Sequence, residues 1–169
     1  MARTLIKKIG RDGVNIGSIE TFSGPVANIP SGFLLCDGAI VSRTDYAALF
    51  AVIGTSHGEG DGSTTFHLPD LRGRFIRGVD LGAGRDPNAG ARTAGNVGGS
   101  TGDNPGSVQA DAFRSHNHSY NDRGNFVAGG LIFPANNFTL ADLSRTTGNA
   151  GGSETRPVNF NAVCIIRAN

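Results

Sequence analysis

The 169-residue sequence contains no tryptophan, one methionine, two cysteines and two lysines against thirteen arginines. It has no apolar run near the ~20 residues that a membrane-spanning helix requires, so we expect no membrane insertion. The formal net charge is +1, which gives no bulk electrostatic argument for binding nucleic acid or a membrane. The N-terminal stretch MARTLIKKIG lacks the apolar core of a signal peptide. We therefore expect synthesis in a cytoplasm without secretion.

Both cysteines have apolar neighbours, in the stretches GFLLCDG and AVCIIRA. Free cysteine behaves as a small hydrophobic residue, so the pattern favours two buried thiols, Cys36 and Cys164, in core strands. A disulfide or a nucleophilic role is the minor alternative.

Glycine is abundant, with 26 residues, and much of it lies between Gly82 and Gly152 together with asparagine, serine and threonine. Such a chain cannot be mostly helical. Residues 81–108 would look disordered in isolation. They could be ordered if other chains packed around them, because glycine permits close backbone approach. This is a first indication of an oligomer.

Periodicity predicts a mainly β (α+β) fold with one α-helix. The helix begins near a Ser42 or Thr44 cap and ends at Gly54. Its core-facing stripe consists of Tyr46, Leu49, Phe50 and Ile53. Short strands are predicted in IGSIETFSG and FLLCDG, and FHLPDLRGRFIRGVD reads as strand, turn and strand. A last strand in RPVNFNAVCIIRA would carry on one face Val158, Phe160, Ala162, Cys164 and Ile166.

Motifs for catalysis are weak. The GEGDG loop lacks the spacing of a dinucleotide, P-loop or calcium motif and is best read as turns. Ser115 adjoins His116, but adjacency in sequence is not triad geometry. Eleven aspartates leave a carboxylate pair for glycoside cleavage open.

The stretch FRSHNHSYND places His116 and His118 two residues apart. In an extended segment both rings would project from the same face. Two exposed loop histidines are one interpretation. A metal site is the other, and it needs further ligands. His57 and His67 sit in different, distant loops, whereas three copies of the histidine pair around a threefold axis would supply six imidazole nitrogens. Such an octahedral set suits one divalent transition metal per trimer, Fe2+ or Zn2+.

The sequence from Gly17 to Gly78 resembles the phage tail-collar domain of short tail fibres and of related contractile particles. The matching pieces are IPSGFLLCDG, YAALFAVIGT, GDGSTTFHLPDLRGRF and the later ETRPVNFNAV. QADAFRSHNHS is similar to the fibre segment that carries a His-x-His metal site on the trimer axis. The resemblance implies a homotrimer with three parts: an attachment arm at residues 1–16, a collar domain at 17–80, and at 81–169 a Gly-rich, irregular, intertwined tip with a C-terminal strand.

The resemblance also implies that the insertion after the histidine pair contacts the host. Aromatic faces stack on sugars, amides bond hydroxyls and arginine binds phosphates, so we expect contacts from Tyr120, Arg123, Asn125, Phe126, Asn136, Asn137 and Arg145. The packing of Phe133 and Phe138 in the trimer interior is the alternative for those two rings.

The expected function is that of a non-enzymatic tail fibre or fibre tip in the virion of a phage or phage-like particle. It would attach to a baseplate or a fibre shaft and bind lipopolysaccharide or another bacterial surface glycan. The alternatives are a fibre-borne polysaccharide depolymerase and a structural collar or baseplate component without a receptor.

Overall fold

A computed structural model of the chain describes residues 13–112 and 157–169. Within these ranges, the chain forms three small antiparallel sheets and one α-helix. The strands are β1 (Ile19–Phe22), β2 (Phe33–Leu35), β3 (Ile40–Ser42), β4 (Thr65–His67), β5 (Thr93–Ala94), β6 (Ser107–Val108) and β7 (Val163–Arg167). The helix α1 spans Ala47–Ile53, and 3-10 turns occupy Val26–Asn28 and Ala89–Ala91. The predicted mainly β class with one helix is confirmed for these residues; the trimeric tip stays a prediction.

The largest sheet has the strand order β1-β7-β2, so the last strand in the chain lies between the first two. Both pairings are antiparallel, and Ile166 of β7 lies opposite Ile19 on one side and Leu34 on the other. This arrangement closes the fold by joining the two ends of the described chain.

The predicted one-faced pattern of the last strand is wrong. Val158 and Phe160 precede β7 and are exposed, whereas the neighbours Ile165 and Ile166 are both buried. Neighbouring residues of a strand point to opposite faces, so this part of β7 is covered on both faces and its buried residues need not alternate.

The predicted helix is present, and its stripe faces the core. Leu49 is fully buried, and Tyr46, Phe50 and Ile53 pack against the buried cluster. The ring of Phe50 lies 5.1 Å from that of Phe66 in β4. This cluster also contains Cys36, Leu68, Ile166 and Ala168.

The predicted N-terminal cap of the helix needs correction. Ser42 belongs to β3, and its hydroxyl accepts the backbone N–H groups of Thr44 and Asp45 at 3.2 Å. The helix begins only at Ala47, and the capping residue Tyr46 makes no side-chain capping bond. Ser42 therefore fixes the turn before the helix. Gly54 ends the helix as predicted, with φ of +54° and its N–H bonded to the Phe50 carbonyl at 2.8 Å.

Both cysteines are free, and Cys36 is buried while Cys164 is partly buried. The backbone N–H of Cys36 donates to the Cys164 carbonyl at 2.9 Å. Burial, followed by the nearby Cys164, raises the pKa of the Cys36 thiol from 9.0 to about 12. The prediction of buried thiols is thus confirmed for Cys36, which is unsuited to nucleophilic attack.

The second strand predicted in FHLPDLRGRFIRGVD does not form in this chain. Residues 74–80 contain neither strand nor turn, although β4 forms before them as predicted. By contrast, residues 81–108 have a defined backbone in the single chain, which includes the pairing of β5 with β6.

The chain divides into two compact units, of which the first comprises Met1–Asp111 and Phe160–Asn169. Residues 81–111 and β7 thus belong to the same unit as residues 17–80. The predicted boundary at residue 80 stays a prediction. No helix in the described ranges has the length and apolar character needed to cross a bilayer.

Candidate functional site

The residues that the sequence singles out for chemistry lie in the connection between β6 and β7. This connection runs over residues 109–162, and the structure describes only its two ends. The predicted metal ligands His116 and His118 fall outside the described residues. So do the predicted receptor contacts, Tyr120, Arg123, Asn125, Phe126, Asn136, Asn137 and Arg145. Their roles stay predictions, and the structure describes the folded unit that carries the connection.

The other two histidines, His57 and His67, lie on adjoining segments, and His67 belongs to β4 rather than to a loop. The backbone N–H of His67 in β4 donates at 3.1 Å to the carbonyl of Gly58, the residue after His57. The His67 side chain donates from Nδ1 to the Gly38 carbonyl at 3.0 Å. Burial lowers the pKa of His57 below 6.5. Among residues 13–112 and 157–169, no group of three or more His, Cys, Asp or Glu side chains could hold a metal ion.

Asp37 and Asp70 lie opposite each other in an isolated antiparallel bridge. They are the one pair of carboxylate residues that the described backbone places in this way. Arg72 contacts both oxygens of Asp70, from Nε at 2.8 Å and from Nη2 at 2.9 Å. This hydrogen bonding lowers the pKa of Asp70 to about 2. A general acid for glycoside cleavage needs a raised pKa, so Asp70 does not suit that one role. Its carboxylate instead fixes the turn at Arg72.

A second carboxylate, Asp61, organises the loop that the GEGDG motif predicted. Its Oδ1 accepts the backbone N–H groups of residues 63, 64 and 65 at 3.0, 2.8 and 2.9 Å. The Thr64 hydroxyl also donates to Asp61, and this side-chain hydrogen bond is the main cause that lowers the pKa of Asp61. The motif is thus a structural turn, as predicted.

The glycine-rich segment after β4 is organised by Asp80. Its carboxylate accepts three consecutive backbone N–H groups, of residues 84, 85 and 86, at 2.7, 2.8 and 3.0 Å. These hydrogen bonds, led by that from Gly84, lower the pKa of Asp80 below 3.8. Asp103 in turn accepts the backbone N–H of Asp80 at 2.8 Å. Two half-buried carboxylates thus replace a hydrophobic core as the source of order here.

The same network holds Leu81 in an unusual conformation. Leu81 has φ of +51°, in the left-handed region that non-glycine residues rarely adopt. Its N–H donates to Asp103 at 2.6 Å, and its side chain is 81% exposed. The network therefore presents an apolar side chain to the surroundings at a fixed position.

A buried ion pair joins Asp86 to Arg92, and Arg77 adds a contact to Asp86 at 3.2 Å. The side chains of Asp86 and Arg92 are about nine-tenths or more buried, whereas Arg77 is largely exposed. Within the described residues, Nε of Arg92 is buried without a hydrogen-bond partner. Asp86 thus ties the glycine-rich segment to the exposed stretch that contains Arg77.

A shallow depression of about 370 Å³ lies beside the end of α1. It is lined by residues 50–56 and 98–100, which are apolar, glycine or hydroxyl residues without a charge. This lining provides no acid, base or nucleophile activated by a charged neighbour, so it offers a contact surface and not a reaction centre.

The carboxylates that order the loops were not identified by sequence reasoning. The available signal was an aspartate followed by Ser, Thr or Gly within two to five residues, a common turn pattern. It is present in DGSTT, after Asp61, and in DLGAG, after Asp80.

Part of this chain is similar to known proteins. Residues 17–76 match the family model of the Phage Tail Collar Domain. Protein RhiB of Rhizobium leguminosarum bv. viciae is 34% identical over 143 residues, which cover 80% of this chain and 64% of RhiB. StfE of Escherichia coli (strain K12) is 33% identical over 108 residues, 64% of this chain and 47% of StfE. The chain thus spans less than two thirds of these relatives, and the similarity to RhiB extends beyond the collar match.

Proposed function

We propose that this chain, which carries a phage tail collar domain at residues 17–76, is a trimeric receptor-binding tail fibre or fibre-tip protein. The collar match supports a component of a phage tail or of a phage-like contractile particle. The finer proposal is that three copies assemble, attach to a baseplate or fibre shaft, and bind a bacterial surface glycan such as lipopolysaccharide. The protein works by binding, without catalysis.

The observation that carries the proposal is the position of the 109–162 connection. It leaves the compact unit after β6 and returns to it at β7, the central strand of the largest sheet. Both ends of the connection are therefore held by a folded collar. Binding residues are commonly placed on such connections, because a rigid scaffold fixes their ends while the segment itself tolerates change.

The metal part of the proposal concerns His116 and His118. With no complete ligand cluster in the described residues, completing a site requires ligands from elsewhere, and two further chains would supply them. Three pairs give six imidazole ligands for one Fe2+ or Zn2+ per trimer. Such an ion would stabilise the assembled state, because each chain would supply two of its six ligands.

The receptor part of the proposal concerns the polar and aromatic residues after the histidine pair. Tyr120 and Phe126 offer ring faces to sugars, Asn125 offers an amide, and Arg123 and Arg145 offer charge for phosphate groups. The paired asparagines Asn136 and Asn137 add further amides. Each trimer would bind weakly, and several fibres on one particle would give avidity.

The experiment combines three measurements on the full chain. Light scattering should give the mass of a trimer, elemental analysis should give about one metal ion per three chains, and the protein should bind host cells. His116→Ala should remove the metal, and exchange of residues 120–152 for those of another fibre should abolish cell binding while the trimer persists. A monomer without metal would contradict the proposal.

Two alternatives predict other outcomes of the same experiment. A depolymerase would release new reducing ends from host polysaccharide. A purely structural collar component would form the trimer yet show no cell binding before or after the exchange of residues 120–152.

A further inference from the structure

The stretch from Arg74 to Val79, called here the 74–79 segment, has a backbone that is largely without hydrogen-bond partners in the described part of the chain. Its first N–H closes the preceding turn by donating to the Leu71 carbonyl at 3.2 Å. From Phe75 to Val79, no backbone group hydrogen-bonds to another described residue, and the segment runs without a turn or bend. Unpaired N–H and C=O groups in such a run are a template for an added strand.

The side chains of the 74–79 segment are also those of an interface. Phe75 is 69% exposed and Ile76 is 66% exposed. Neighbouring side chains of an extended run point to opposite faces, so both faces of the segment present an apolar group. Further along, Leu81 is held outward by Asp103. Adjacent large apolar groups at such exposure are typical of a surface that is covered on assembly.

Arg74 is the charged residue of this segment that has no close partner. Arg72 is engaged by Asp70 and Arg77 by Asp86. Arg74 influences Asp70 only at longer range, and it makes neither an ion pair nor a side-chain hydrogen bond within the described part of the chain. A partner surface that covers the segment should therefore offer an acidic side chain.

The strand β1 of the same protein has the matching character. It is an edge strand, paired only with β7 among the described residues. Ile19, Glu20 and Thr21 are all exposed, so β1 is open on both faces as well as on its outer edge. The Glu20 carboxylate makes no ion pair or hydrogen bond with any described residue. β1 thus combines a free edge, an apolar side chain and an unpaired acid next to one another.

We propose that the 74–79 segment of one chain adds as a strand to the outer edge of β1 in a neighbouring chain, with Arg74 facing Glu20. This inference rests on the trimer of the proposed function and names the surfaces that build it. The contact joins two different patches, so it is heterologous, and a heterologous contact that rotates by a third of a turn closes into a ring of three. The alternate backbone N–H and C=O groups of the segment that face β1 then gain partners.

The first test removes the apolar groups. Phe75→Ser combined with Ile76→Ser should weaken association of the full chain at least about tenfold, measured by analytical ultracentrifugation over a concentration series. Val97→Ser is the matched control, because Val97 is 81% exposed and lies outside both patches. It should leave association unchanged. Circular dichroism should show the same folded chain in all variants, since these side chains are exposed before assembly.

The second test exchanges the charges. Arg74→Glu and Glu20→Arg should each weaken association about tenfold, and the double variant with both changes should recover most of that loss, because it restores an opposite pair. A trimer that is unaffected by the Phe75 and Ile76 changes, or charge variants that do not rescue each other, would overturn the inference and leave the proposed function intact. Loss of glycan binding with an intact trimer would overturn it too, by assigning the segment to the receptor. A monomeric unmodified protein would instead contradict the proposed function.

Discussion

The carboxylate of Asp103 accepts the backbone N–H of Asp80 at 2.8 Å, across 23 residues of sequence. Asp80 itself accepts the three N–H groups of residues 84–86. Asp103 therefore fixes the position of Asp80, and Asp80 in turn fixes residues 84–86. This relationship explains how a glycine-rich segment with few apolar residues adopts a defined conformation in a single chain.

The Asp80 network predicts an acid-sensitive loop. Folding lowers the pKa of Asp80 below 3.8, so its stabilising effect is complete above that value and is lost as the pH falls through the lower pKa of the folded state. Asp80→Asn should reduce the thermal midpoint at pH 7, because one of the two carboxylate acceptors becomes a donor facing an N–H. The difference from the unmodified protein should shrink in strong acid.

Asp45→Asn is the control for this experiment. Asp45 is exposed, and its carboxylate makes no hydrogen bond or ion pair with a described residue. Its variant should unfold at the same temperature as the unmodified protein at pH 7. Equal midpoints for the Asp80 and Asp45 variants would contradict the assigned role of the network.

The helix stripe predicts a large loss of stability on truncation of Leu49. This side chain is fully buried beside Phe66 in the core cluster. Leu49→Ala should cost about 2–5 kcal/mol in the free energy of unfolding, through lost apolar burial and the cavity left behind. Urea unfolding at one fixed protein concentration is the measurement, because assembly would make the midpoint depend on concentration. Val52→Ala, on the exposed side of α1, should change it by less than about 1 kcal/mol.

Gly106 lies at a position where only glycine fits. Its φ is +93°, and a methyl group there would lie far inside van der Waals contact with the Ser56 carbonyl oxygen. That oxygen also accepts the N–H of Ser100 at 2.9 Å, so the clash would disturb a second segment. Gly106→Ala should lower stability by at least about 1 kcal/mol. Gly90→Ala, which meets open space, should be neutral in the same melts.

We expect the Cys36 thiol to resist alkylation in the native protein. Its pKa is raised from 9.0 to about 12, so near pH 8 the thiolate fraction falls about 1000-fold relative to an ordinary cysteine. In a Cys164→Ser background, iodoacetamide should modify Cys36 slowly until denaturant is added, as followed by mass spectrometry. Rapid native modification would show that the core around β2 and β7 opens readily.

Local pattern was sufficient for the helix. The stripe from Tyr46 to Ile53 repeats at helical spacing, and helical spacing depends only on nearby residues. The start of the helix was predicted less well, because Ser42 has two possible uses: it can cap a helix or fix a turn, and pairing of β3 with β4 selects the turn.

The 74–79 segment shows what pattern alone could not determine. Its residues favour a strand, but a strand needs a partner, and the single chain supplies none for it among the described residues.

The order of the segment after Asp80 was missed for the opposite reason. Composition predicted a loose chain, whereas a few aspartates at turn positions provide the hydrogen bonds that hold it.

The central position of β7 also has a consequence for synthesis. The ribosome must complete residues 109–162 before β7 emerges, so β7 cannot pair with β1 and β2 until the whole connection has been made. The three-stranded sheet is then completed after the insert, residues 109–162, has been made. Exchange of this insert by recombination between β6 and β7 would therefore leave a closed sheet, provided that the replacement lets β7 return.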